Sequence, residues 1–185
     1  MCVIDGSKGI KAAISSVFGH YAKIQRCQWH KRENIVKYVG LSRQKALREK
    51  LRRAYSKNTY EAAKGVLLQI RRELEPINLS AVASLDEGLE ETLTLHRMGL
   101  FEALGQSFKT TNCIESIHAQ MGQRTDKVDY WRNSSQKQRW VAAALLDMEP
   151  SLRCVKGYRS LPFLRAKLQE TIQKEETKRN IQKVL

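Results

Sequence analysis

Carboxylates far apart in the chain, a Cys–His pair and a large excess of basic residues are what could do chemistry here. The first carboxylate is Glu115, in the stretch Thr110–His118, TTNCIESIH. Asn112 suits a helix N-cap, and Glu115 three residues on has the capping-box spacing. Ile114, Ile117 and Met121 share one helical face, which is predicted to be buried, while Glu115 and His118 point elsewhere. Glu115 is therefore either a cap or a metal-binding carboxylate in want of a partner. The partner candidate is Asp5. A second group is Cys27 and His30. Cys-x-x-His is half of a zinc site, but His20, His96 and His118 have no cysteine at such spacing. The alternative is a buried thiol and a helix-capping or structurally bonded histidine.

The elements around these residues set where they stand. Met1–Ile4 is a short apolar run, as in a strand buried on both faces of a parallel sheet. Asp5 then lies at a strand's C-terminal end, where ligand-binding side chains collect in open α/β sheets. Residues 6–9 turn the chain, and Ser7 can cap the next helix. Ile10, Ala13, Ile14, Val17 and Phe18 fit an amphipathic helix, ended by Gly19. Residues 21–26 form a second strand, joined by a right-handed crossover and parallel to the first. Two parallel strands do not make a sheet alone, so further strands are expected from another chain or ahead of residue 1.

From residue 43 to 106 the strand signals stop. Leu47, Leu51 and Ala54 form an apolar seam in a basic segment. Tyr60, Ala63, Leu67, Ile70 and Leu74 mark a second helix, broken by Pro76. A third helix is predicted over 79–95. After Glu115, residues 141–146 read as a buried helix stopped by Pro150, and Leu161, Leu164, Leu168 and Ile172 as a last amphipathic one. Trp131 and Trp140, set among basic residues, either stack on bases or pack in a core.

The 185 residues are 42% apolar, enough for a real core. Lys and Arg number 33 against 19 acidic residues, a net charge of +14, which points to a polyanionic partner. The basic run from Arg43 to Arg53 is either a solvated face or part of a nucleic-acid face. No apolar run approaches the roughly 18 residues of a membrane span, and no signal peptide is read. The four scattered cysteines are taken as reduced thiols of a cytoplasmic protein.

Three ordered blocks carry a resemblance. Asp5–Gly9 (DGSKG), Arg26–Arg32 (RCQWHKR) and Thr110–Ser116 (TTNCIES) together resemble the Mutator-like transposases of bacterial insertion sequences. Residues 128–140 and 155–158 match as well. The resemblance implies an RNase H-like core of the DDE type. In it two aspartates and a glutamate hold two Mg2+ (or Mn2+) ions for DNA cleavage and strand transfer. Asp5 resembles the second aspartate and Glu115 the glutamate. Cys27 and His30 match a Cys-x-x-His signature near the active site, with Asn112 close by. The first aspartate has no counterpart here.

The expected fold is α/β. A partial RNase H-like core (strand, helix, parallel strand and catalytic helix) is interrupted by an all-α insertion, and the whole is mostly helical. The expected segments are core 1–42, helical insertion 43–106, the rest of the core 107–150 and a C-terminal helical tail 151–185. DNA would be held by Lys8, Lys31, Arg32, Arg48, Arg52, Arg53, Arg124 and Arg139. The chain is expected to be the C-terminal part of a transposase, inactive alone, nucleoid-associated and partnered by its own copies or an intact transposase. The alternative is a non-catalytic remnant that binds DNA or inhibits such an enzyme.

Overall fold

The computed structural model describes the backbone of residues 1–184 and the side chains of all but residues 20, 175 and 178–184. The chain is mostly helical, with one two-stranded parallel sheet. It divides into two compact units, residues 1–110 with 156–185, and residues 111–155.

The first unit opens with β1 (Cys2–Ile4), α1 (Lys8–Phe18) and β2 (Ile24–Arg26). The strands pair in parallel, Cys2 against Ile24, Val3 against Gln25 and Ile4 against Arg26. Ser7 caps α1 by accepting from the Ile10 amide, and Gly19 ends it at φ +58°, both as expected from the sequence. Residues 19–21 form a 3-10 turn, so β2 is shorter than the predicted strand. The predicted helix is there, with its apolar face uncovered. No residue of that helix is buried, and Val17 and Phe18 are exposed.

Next come α2 (Gln28–Val36), α3 (Leu41–Tyr55), α4 (Tyr60–Leu74) and α5 (Leu79–Asp86). Their apolar seams meet in one core of Ile35, Val36, Leu47, Leu51, Leu67, Ile70 and Leu85, among others. Each such side chain contributes roughly 1.5–3 kcal/mol when fully buried. Where one helix was predicted over 79–95 there are three: α5, α6 (Leu89–Thr92) and α7 (Thr94–Arg97). The break falls at Gly88, which is left-handed at φ +68°. Then α8 (Phe101–Phe108) and α11 (Leu161–Val184) enclose a second, smaller core around Leu95, Phe101, Leu104 and Leu164.

The second unit is a helical hairpin of α9 (Asn112–Thr125) and α10 (Ser134–Met148). Two expectations fail here. The face of Ile114, Ile117 and Met121 is not buried, Ile114 being 48% exposed, and α9 has no buried residue. In α10 only Ala144 and Met148 are buried, while Leu145 and Leu146 are exposed. Helix α10 gives way at residue 149 to a 3-10 turn that contains Pro150. Among the described residues no helix is long and apolar enough to cross a membrane.

Candidate functional site

Asp5 follows β1 directly, and its exposed carboxylate is fixed by its own turn. Asp5 Oδ1 accepts the Ser7 amide at 2.8 Å. The turn needs Gly6, at φ +105°, because a Cβ there would stand 2.5 Å from the Arg26 guanidinium. At the end of β2 the chain stays in register. The Cys27 amide donates to the Ile4 carbonyl at 2.7 Å, so Cys27 sits beside the residue that precedes Asp5. The next amide, of Gln28, donates to the Lys109 carbonyl at 2.8 Å. Two short backbone bonds therefore gather the Asp5 turn, the Cys27 block and the strand of chain at Lys109.

Cys27 is fully buried, and its Sγ lies 3.2 Å from His30 Nδ1. This is the bonded thiol–histidine pair of the second reading above. Among the described residues no group of three or more His, Cys, Asp or Glu side chains could hold a metal ion.

Behind the Asp5 turn stands a buried charge cluster. Arg26 and Lys31 have side chains 7% and 1% exposed, and both are paired with Glu87. Arg26 Nη1 donates to Glu87 Oε1 at 2.9 Å, and Lys31 Nζ to Glu87 Oε2 at 3.3 Å as well as to the Glu87 carbonyl. A hydrogen bond from Arg26 is the main reason the Glu87 carboxyl is held down, to about 2; burial opposes this and the Lys31 charge adds to it. Burial pushes Lys31 below its ordinary value, and the Arg26 charge pushes the same way. Gly88 makes room for this cluster, since a Cβ there would meet Arg26 Nη1 at 2.4 Å. Neutral bonds join the same elements. The Gln25 amide group donates to the Thr92 carbonyl and accepts from the Leu95 amide, and Gln28 also donates to Thr92.

Glu115 lies in the second unit, in the first turn of α9. The cap expected at Asn112 is Thr111, and Asn112 is the first helical residue. Thr111 Oγ1 and Glu115 Oε1 are hydrogen-bonded at 2.5 Å, so the carboxylate is steadied from its own helix start.

The basic residues divide by what holds them. Lys31, predicted to face DNA, is buried on Glu87 and drops out of any surface set. Arg32 and Arg48 share Glu33, Arg52 pairs with Glu49, and Arg124 donates to Asp147 at 2.6 Å. Lys8, Arg53 and Arg139 are exposed. Sequence reasoning missed Arg26 and Glu87. The one local signal was a charged residue inside a strand otherwise suited to burial.

With the geometry in place, comparison adds a family. A family model described as Transposase, Mutator family, matches residues 1–153. No curated protein and no solved structure matches the chain.

Proposed function

The chain belongs to the Mutator family of transposases, and from that premise we propose that it carries two carboxylates of a DNA-cutting centre, Asp5 and Glu115. The observation that carries this reading is the position of Asp5. It stands at the C-terminal end of a parallel strand, with its turn held open by Gly6 and backed by the Arg26–Glu87 pair. The surrounding fold is then an RNase H-like core interrupted by the helices of residues 43–106.

The donor set fits a hard divalent cation. Mg2+ and Mn2+ favour carboxylate oxygens and keep several waters. Asp5 is exposed with one oxygen bonded only to an amide. Such ions, when bound by carboxylates of separate segments, activate a water or 3′-hydroxyl and offset charge on the leaving oxygen. The chain's own residues do the positioning. Ser7 orients Asp5, Thr111 orients Glu115, and Cys27 holds the ring of His30 beside the Asp5 strand. Lys8, on the first turn after Asp5, and the exposed Arg53 and Arg139 offer charge to DNA phosphate. Two carboxylates are a partial set, so the 185-residue chain alone binds DNA and leaves it uncut.

Iron-directed hydroxyl-radical cleavage tests this without relying on activity. Fe2+ bound in place of Mg2+ is expected to cut the polypeptide near residue 5 and near residue 115. Asp5→Asn should remove both cuts. Cuts elsewhere only, or cuts that survive Asp5→Asn, would remove Asp5 from the site. With Mg2+ and a DNA duplex the same preparation should yield no cut strands, and cutting that Asp5→Asn abolishes would show the two carboxylates to suffice.

A further inference from the structure

A small open pocket of about 270 Å3 lies against the start of α2, next to the Cys27–His30 pair and wholly within the first unit. Trp29, Tyr55, Arg32, Arg52 and Lys109 are among the residues that line it. Trp29 is 47% exposed, an unusual position for an indole that has a core nearby. Its ring and that of His30 meet in a T-shaped contact, with centroids 4.8 Å apart at 85°. Lys109 has no ion-pair partner among the described residues. Arg32 and Arg52 are each held by one carboxylate, and a guanidinium retains further donors. Helix α2 has no acidic residue in its first turn and no side-chain cap, and its first amide, of Gln28, donates to the Lys109 carbonyl.

We propose that this pocket receives one unpaired base of bound DNA, stacked on Trp29, with the adjoining phosphates held by Arg52 and Lys109. The inference rests on the DNA reading above. The volume lies below the roughly 300–1,000 Å3 of pockets that enclose drug-sized ligands, so a single planar base fits and a longer segment does not. Stacking on an aromatic ring accepts any base, because every base has a π-face. Cationic groups in the lining match the phosphates on either side. The location gives the base a use. The Cys27 amide is bonded to Ile4, so a base drawn into the pocket leaves the duplex unstacked beside the strand end that carries Asp5.

The test compares a short fluorescent duplex with the same duplex carrying one unpaired thymine. Affinity of the complete chain is read by anisotropy at one fixed salt concentration. The bulged duplex should bind more tightly. Trp29→Ala should lower affinity for it about tenfold, the scale of one lost stacked base, and leave the paired duplex unchanged. Trp29→Phe should keep most of the preference, which separates stacking from a folding defect. A 2-aminopurine at the unpaired position should be quenched by the wild-type chain and not by Trp29→Ala. Equal affinity for both duplexes, or a bulge preference that survives Trp29→Ala, would overturn the pocket while the DNA reading stands. Absence of binding to either duplex would overturn both.

Discussion

The helices from α2 to α7 and the hairpin of α9 and α10 are written in similar amphipathic sequence, yet they bury it very differently. In the first, Ile35, Leu51, Leu67 and Leu93 are fully enclosed. In the second, Ile114, Trp140, Leu145 and Leu146 stay between 41% and 68% exposed. Periodicity shows which residues share a face of a helix. It does not show whether a second apolar face is present to cover them. The α2–α7 block supplies its own cover, because α3 and α4 lie against each other and α2 packs on α3 and α5. A hairpin of two helices has only one internal seam, and in α10 only Ala144 and Met148 are buried.

The largest effect expected from this contrast is on the enclosed side. Leu51→Ala removes a fully buried side chain from the main core. Truncations of this kind cost about 2–5 kcal/mol, depending on how far the cavity relaxes. For a chain of this length each 1 kcal/mol lowers the melting temperature by about 2–4 °C. Calorimetry or circular dichroism should therefore show a clear downward shift. A shift under about 1 °C would mean that the block is not the unit that sets stability.

The same contrast explains what the sequence made legible. Asp5 at a strand end, Ser7 as a cap and Gly19 as a stop follow from neighbours a few residues away, and each stands as read. Lys31 does not. It lies among basic residues and reads as surface, but its ammonium is claimed by Glu87, 56 residues further on. Nothing local announces such a pairing. The stretch 79–95 reads as one helix because its apolar residues keep the period, yet the space needed by Arg26 puts a left-handed glycine at position 88. The cap at Thr111 in place of Asn112 is a one-residue shift, the usual scale of error for a helix boundary. The burial predicted for Ile117 and for residues 141–146 depended on a cover that no period can reveal.

An intermediate effect is expected where the enclosed block meets the Asp5 turn. Glu87→Gln keeps the shape of the side chain and removes the charge that compensates Arg26 and Lys31. Breaking a buried pair costs about 3–5 kcal/mol. Glu87 itself is 56% exposed, and water on that side reduces the expected loss to about 2 kcal/mol. The pH dependence follows in sign. The folded-state value of about 2 lies below the ordinary 4.5. The contribution is thus complete above the unfolded value and is lost as pH falls towards 2. Thermal melts from about pH 6 down to about pH 2 should show the wild-type chain losing its advantage over Glu87→Gln across that window. Parallel curves would show that the pair contributes no pH-dependent stability.

The smallest effect belongs to the hairpin, and it is the sharpest test of the comparison. Leu146→Ala makes the same chemical change as Leu51→Ala, at a side chain 68% exposed. Little apolar area returns to water on unfolding, and alanine favours the helix slightly more than leucine does. The two terms nearly cancel, so stability should stay within about 0.5 kcal/mol of the parent chain. Melting curves of the two variants, recorded side by side, read the difference directly. If Leu146→Ala were as damaging as Leu51→Ala, Leu146 would have to be covered in solution. The contrast between an enclosed block and an open hairpin would then have to be abandoned.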